Sequence, residues 1–189
     1  MATKEFFHRL LDYERRVGSL YLTLGNRSTF SEELRAFWHR MAEDERRHVL
    51  VLQRSTTVHD LQESTPVGSD DLFHDIEQQL VAAEAILGQI DIGVDEALRH
   101  AMLLESSELN RLSDAWFRSF PPALRTLLTA LMPEDNVHLR HLLEAVHTFS
   151  SNKVLQEQAT SLWMKYQRIK AESRSTEEKT DLTRSKPQS

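Results

Sequence analysis

Apolar residues recur in alternating steps of three and four along most of the chain, the period of helices with one buried face. Phe7, Leu10, Val17, Tyr21 and Leu24 predict a first helix over roughly Thr3 to Leu24, ended by Gly25-Asn26-Arg27-Ser28. Leu34, Trp38, Met41 and Leu52 predict a second, to about Arg54, and Thr29 with Glu32 has the spacing of a capping box at its start. Ser55 to Gly68 is polar, contains Pro66 and reads as a connection. Phe73, Ile76, Leu80, Ala83, Leu87 and Ile90 share a face of a helix over about 70–90, which Asp91-Ile92-Gly93 breaks. A helix from about Val94 to Phe120 follows, then a sharp turn at Pro121-Pro122 and another helix to about Phe149. The last helix, about Asn152 to Lys170, carries Leu155, Ala159, Leu162, Trp163 and Tyr166. Residues 171–189 have almost nothing apolar to offset ordering entropy and are expected to be a disordered tail.

The expected architecture is therefore all-α. Residues 1–150 form one domain, a four-helix bundle of two antiparallel hairpins with the 70–90 helix inside the crossover between them. The 151–170 helix is appended to it. Only five Gly and five Pro occur, too few for a turn-rich β architecture. No apolar run approaches the roughly 20 residues of a membrane span, and Met1-Ala2-Thr3-Lys4-Glu5 has no apolar leader segment, so a cytoplasmic location is expected. The absence of cysteine excludes disulfides, thiol catalysis and Cys-ligated metal. A net charge of -6 leaves no basic footprint for nucleic acid and favours cations weakly.

The apolar stripes are interrupted at matching depths by ionisable residues. Glu14 sits between Leu10 and Val17; Glu45 and His48 sit between Met41 and Leu52. Glu105 and Glu108 sit between Ala101 and Leu112; Asp135 and His138 sit between Leu131 and Leu142. Seven such groups in one core would each cost several kcal/mol if unpaired. A pair of divalent cations removes that cost, because carboxylates and neutral imidazoles are natural ligands for iron or manganese. Similar intervals separate Glu14 from Glu45 and Glu105 from Asp135, so each hairpin brings two carboxylates to one depth and supplies one carboxylate-x-x-His. Other polar residues read as unrelated to this chemistry. Glu43, Asp44 and Glu134 fall off the stripes and are expected on solvated faces, as are Glu77 and Glu84. His141, three residues after His138, either supports the site from outside the ligands or is simply exposed, the latter being preferred, and His8, His39, His59, His74, His100 and His147 lack ligand spacing. Tyr21, on the face of Glu14, either hydrogen-bonds near the site or is plain core, the second being preferred, and Trp38, Trp116 and Trp163 read as packing residues.

Phe37-Trp38-His39-Arg40-Met41-Ala42-Glu43-Asp44-Glu45-Arg46-Arg47-His48 closely resembles the second-helix signature of the rubrerythrin branch of the ferritin-like superfamily, and Ala97-Leu98 through Ala101 to Glu105 resembles its third. The resemblance covers residues 3–149. It implies a di-iron centre, with manganese or a mixed pair as the alternative. Glu45 and Asp135 would bridge the metals, Glu14 and Glu105 would be terminal ligands, and His48 and His138 would bind one metal each. Glu105-Ser106-Ser107-Glu108 matches the family's additional glutamate, which exchanges with a histidine as the iron changes oxidation state; Glu108 and His48 would fill those catalytic roles. Asp where Glu is usual at 135 and Pro133 within the fourth helix depart from the pattern. The resemblance implies an oxidoreductase reducing hydrogen peroxide or dioxygen. With no Cys-rich donor module in the chain, the electrons would come from a separate protein. An iron-binding, ferroxidase or carrier role, and a helical binding module with a degenerate site, stand as alternatives. A homodimer is common among such proteins.

Overall fold

A computed structural model describes residues 3–58, 69–111 and 137–184. These form six α-helices and no strand: α1 Thr3–Gly25, α2 Glu32–Val58, α3 Ser69–Leu87, α4 Val94–Arg111, α5 Val137–Phe149 and α6 Lys153–Arg184. The turn at Pro121-Pro122, Trp116, Pro133, Glu134, Asp135 and His59 lie outside the described residues. None of the described helices is long and apolar enough to cross a membrane.

The first two helices form an antiparallel hairpin. Gly25 of α1 lies against His39 of α2, Gly18 against Glu45, and the Glu14 carboxylate against His48, so α1 runs back as α2 runs forward. Asn26 and Arg27 close the turn on the carbonyls of Leu22 and Leu24. The start of α2 differs from the sequence expectation. Ser31, not Thr29, caps it: the Leu34 amide donates to Ser31 Oγ at 3.2 Å and the Arg35 amide to the Ser31 carbonyl at 2.9 Å. Phe30 explains the shift, since its amide turns back to the Arg27 carbonyl and its buried ring fixes where the chain enters the helix.

Most buried apolar side chains among the described residues belong to one continuous cluster. Val17, Tyr21 and Leu24 of α1 meet Trp38 and Met41 of α2, Leu98 and Ala101 of α4, and Leu142 and Ala145 of α5. Helix α3 packs on α1 and α4 through Ile76, Leu80, Ala83 and Leu87, but Ile90 lies past the helix end and is 83% exposed, not on the buried face. Two arginines fasten α3. Arg16 donates Nε and Nη2 to the two oxygens of Glu84 at 2.7 and 2.8 Å and Nη1 to Glu77 at 2.7 Å. Both glutamates were expected to be simply solvated; the planar guanidinium fork makes them the tie between α1 and the crossover helix. Arg27 closes the other end, donating to the carbonyls of Leu87 and Ile90 at the C-terminus of α3.

Helix α6 packs on α4 and α5, with Leu155 and Ala159 in the main core and Tyr166 against Leu139. Asn152 caps it through the Leu155 amide at 3.2 Å. It continues past Lys170 to Arg184, through residues expected to be a disordered tail. That stretch has no Gly or Pro before Pro187 and several Glu, Lys and Arg residues of good helix propensity.

The capping assignment gives a direct test. Ser31→Ala lowers the unfolding free energy by about 1 kcal/mol in urea titrations, whereas Thr29→Ala changes it by only a few tenths.

Candidate metal centre

The stripes of α1, α2, α4 and α5 place Glu14, Glu45, Glu105 and His138 side by side, all less than 4% exposed, with His48 partly buried beside them. Helical phase alone does this. Each residue occupies the same stripe as the leucines, alanines and methionine one turn away, and the four stripes face one another.

The geometry divides into two halves. His48 Nδ1 lies 3.3 Å from Glu14 Oε2 and 3.2 Å from Glu45 Oε2. His138 Nδ1 lies 3.4 Å from Glu45 Oε1 and 3.8 Å from Glu105 Oε1. Glu45 thus offers one oxygen to each histidine, and each half is completed by a second glutamate from another helix. The imidazoles stand 4.8 Å apart, centroid to centroid, tilted by 35°. Glu45, His48 and His138 form a group able to hold a metal ion, with one donor atom of each within 4.8 Å of the others.

The separations suit donors sharing an ion as well as they suit hydrogen bonds. Charge-assisted hydrogen bonds between nitrogen and carboxylate settle at about 2.7–2.9 Å. Donors sharing one ion at bonds of roughly 2.0–2.2 Å stand about 3 to 3.6 Å apart. Those at His48 and Glu45 fall in the second range, and Glu45 Oε1 has no hydrogen bond among the described residues.

The electrostatics match. Burial, then the negative charge of Glu14, pushes the Glu45 carboxyl well above the usual carboxylate range, against the pull of His48. Burial pulls His48 down, yet its hydrogen bonds to Glu14 and Glu45 outweigh this and hold the imidazole well above its ordinary range. Without a metal, protons shared among these groups therefore keep the cluster tolerable.

Three residues assigned elsewhere by the sequence pattern belong to this centre. Asp44, expected on a solvated face, is part-buried and puts Oδ2 at 3.5 Å from His138 Nε2. Burial raises its pKa, but the hydrogen bond from His138 and the charges of His138, Arg47 and His141 hold it below the usual range. Nδ1 of His138 faces the glutamates. His141, expected to be exposed, is 22% exposed and lies 3.9 Å from the same Asp44 oxygen. Tyr21, expected to be plain core, is fully buried and donates its hydroxyl to Glu105 Oε1 at 2.9 Å. Beside it, Tyr13 shares a 3.2 Å hydrogen bond with Ser107. Gly18 is a further residue the pattern missed. A Cβ there would stand 3.1 Å from Glu45 Cβ, so the missing side chain lets α1 approach α2 at the depth of the site. A lone glycine in an amphipathic helix was the available signal. Glu108 lies on α4 but its side chain, like Asp135, falls outside the described residues.

Gly18→Leu is expected to force α1 from α2 and destabilise the protein by about 1–3 kcal/mol, despite leucine's better helix propensity. Chemical denaturation measures the loss; a gain in stability contradicts the close approach.

No protein-family model, no curated protein and no solved structure matches this chain, so the assignment of its chemistry rests on these residues.

Proposed function

We propose that the chain is a ferritin-like, rubrerythrin-related dimetal protein that reduces hydrogen peroxide or dioxygen with electrons from a separate donor protein. The observation that carries this reading is the division of Glu45 between two half-sites, His48 with Glu14 and His138 with Glu105. One carboxylate facing two imidazoles through different oxygens suits two ions better than one. The α1–α2 hairpin, the α4 and α5 helices and the interposed α3 also suit a ferritin-like order of elements.

In this reading Glu45 and Asp135 would bridge, Glu14 and Glu105 would be terminal ligands, and His48 and His138 would bind one metal each. Glu108 would complete the set. Asp44 places a carboxylate beside the far side of His138, and Tyr21 holds the Glu105 carboxylate in place. Val17, Met41, Ala101 and Leu142, all buried, exclude water around the donors. A pair of bound iron ions would supply the two electrons that, with two protons, convert one peroxide into two waters. The carboxylates would offset the charge of bound ferrous ions and so favour the higher oxidation state.

Metal binding must displace the protons held by Glu45 and His48, so affinity is expected to rise with pH and binding to release protons. Calorimetric titration of ferrous ion in buffers of different ionisation enthalpy measures the release; an uptake of protons would contradict the assignment. Protein grown with iron is expected to retain about two ions per chain, and Glu45→Ala to retain almost none. Equal metal content in both removes Glu45 from the site. The iron-loaded ferrous protein is expected to be oxidised faster by peroxide than by dioxygen in stopped-flow absorbance. Slow or absent oxidation by both rejects the oxidoreductase role while leaving metal binding intact.

A further inference from the structure

We propose that Asp44 and His141 form an outer cation site, at the seam of α2 and α5, that captures an incoming divalent metal ion and passes it to the buried centre. This rests on the dimetal reading above and adds a site outside its ligand set.

Asp44 uses its two oxygens differently. Oδ1 accepts from Arg47 Nη1 at 3.0 Å. Oδ2 lies 3.9 Å from His141 Nδ1 and 3.5 Å from His138 Nε2. The longer separation is too great for a hydrogen bond. Two metal bonds of roughly 2.0–2.2 Å span it at an open angle. His141 Nδ1 is buried and has no hydrogen bond among the described residues, although the ring as a whole is partly open to solvent. A buried imidazole nitrogen without a hydrogen bond is costly, and an ion held between it and Asp44 Oδ2 removes that cost. An ion pair with Arg47 needs only an exposed carboxylate. Burying Asp44 beside two imidazoles adds desolvation that this pair does not require.

Exposure falls in order from this pair to the centre. The side chains of His141, Asp44, His138 and Glu45 are 22%, 12%, 4% and 1% exposed. His138 stands between the two sites, with Nε2 toward Asp44 and Nδ1 3.4 Å from Glu45 Oε1. An ion leaving Asp44 and His141 therefore meets His138 next, and then Glu45. Carboxylate oxygen and imidazole nitrogen are also the donors of the inner centre, so both sites favour the same ions. Two protein donors leave most of the ion's coordination to water, which holds it loosely enough to move on.

The test uses the full chain and cobalt(II) as a stand-in for ferrous ion, with uptake followed by stopped-flow absorbance. Wild type is expected to load at a rate that saturates as cobalt is raised, because capture precedes transfer. His141→Phe keeps a ring without the donor nitrogens, and Asp44→Asn keeps the shape without the charge. Both are expected to load at least several-fold more slowly at low cobalt, with a rate that stays linear in cobalt. After dialysis, wild type and both variants are expected to retain about two ions per chain. If one variant fails to fold, the other decides. A wild-type rate that never saturates, or equal rates in wild type and variant, overturns the proposal and leaves the dimetal reading standing. Fewer ions retained by both folded variants than by wild type also overturns it, by making these residues part of the inner ligand set. One ion retained by wild type overturns the dimetal reading alone, with the cobalt dependence of the rate still deciding the outer site. No cobalt uptake by wild type overturns both.

Discussion

Burying several carboxylates beside one another is the constraint on which the rest of this molecule turns. Glu14, Glu45 and Glu105 sit in a core otherwise made of leucine, alanine, methionine and aromatic rings. In such surroundings ionised carboxylates lose hydration and repel one another, and nothing in ordinary packing repays that loss. The His48 imidazole offsets part of it through its hydrogen bonds to Glu14 and Glu45. Cations would offset far more, since each would replace a shared proton with a larger charge held by several oxygens and a nitrogen.

The surrounding structure supports that arrangement. Gly18 removes a side chain where α1 would otherwise be held away from Glu45. Tyr21 holds the Glu105 carboxylate by a hydrogen bond from outside the cluster, and Asp44 lies beside His138. The arginines at positions 16 and 27 tie α3 across α1 through carboxylates and helix-end carbonyls, keeping the crossover helix against the bundle. Groups that must converge within a few tenths of an ångström are thus carried on helices and locked by contacts beyond the donors themselves.

Much of this was legible in the sequence, because helical period and burial are linked directly. The stripes containing Glu14, Glu45, Glu105 and His138 face inward at one depth, as their spacing implied. Asp44 was not legible. It lies about 100° around α2 from Glu45, off the stripe, but a helix packed against two neighbours buries a wider arc than one stripe, and His138 of α5 reaches into that arc. Tyr21 lay on the stripe, yet periodicity cannot say whether a buried hydroxyl finds a partner. The cap of α2 was misplaced by two residues because Thr29 and Ser31 are both competent caps, and the Phe30 turn chose between them. The helix beyond Lys170 was missed because lack of apolar residues says nothing against local helix propensity.

The central claim is that Glu45 joins two metal ions, each with its own histidine. Iron-edge X-ray absorption on the loaded protein tests it most directly. The account predicts a shell of nitrogen and oxygen ligands together with iron–iron scattering at about 3.5–4 Å. Bound iron with a mixed nitrogen and oxygen shell and no iron–iron scattering would contradict it, leaving at most a mononuclear site.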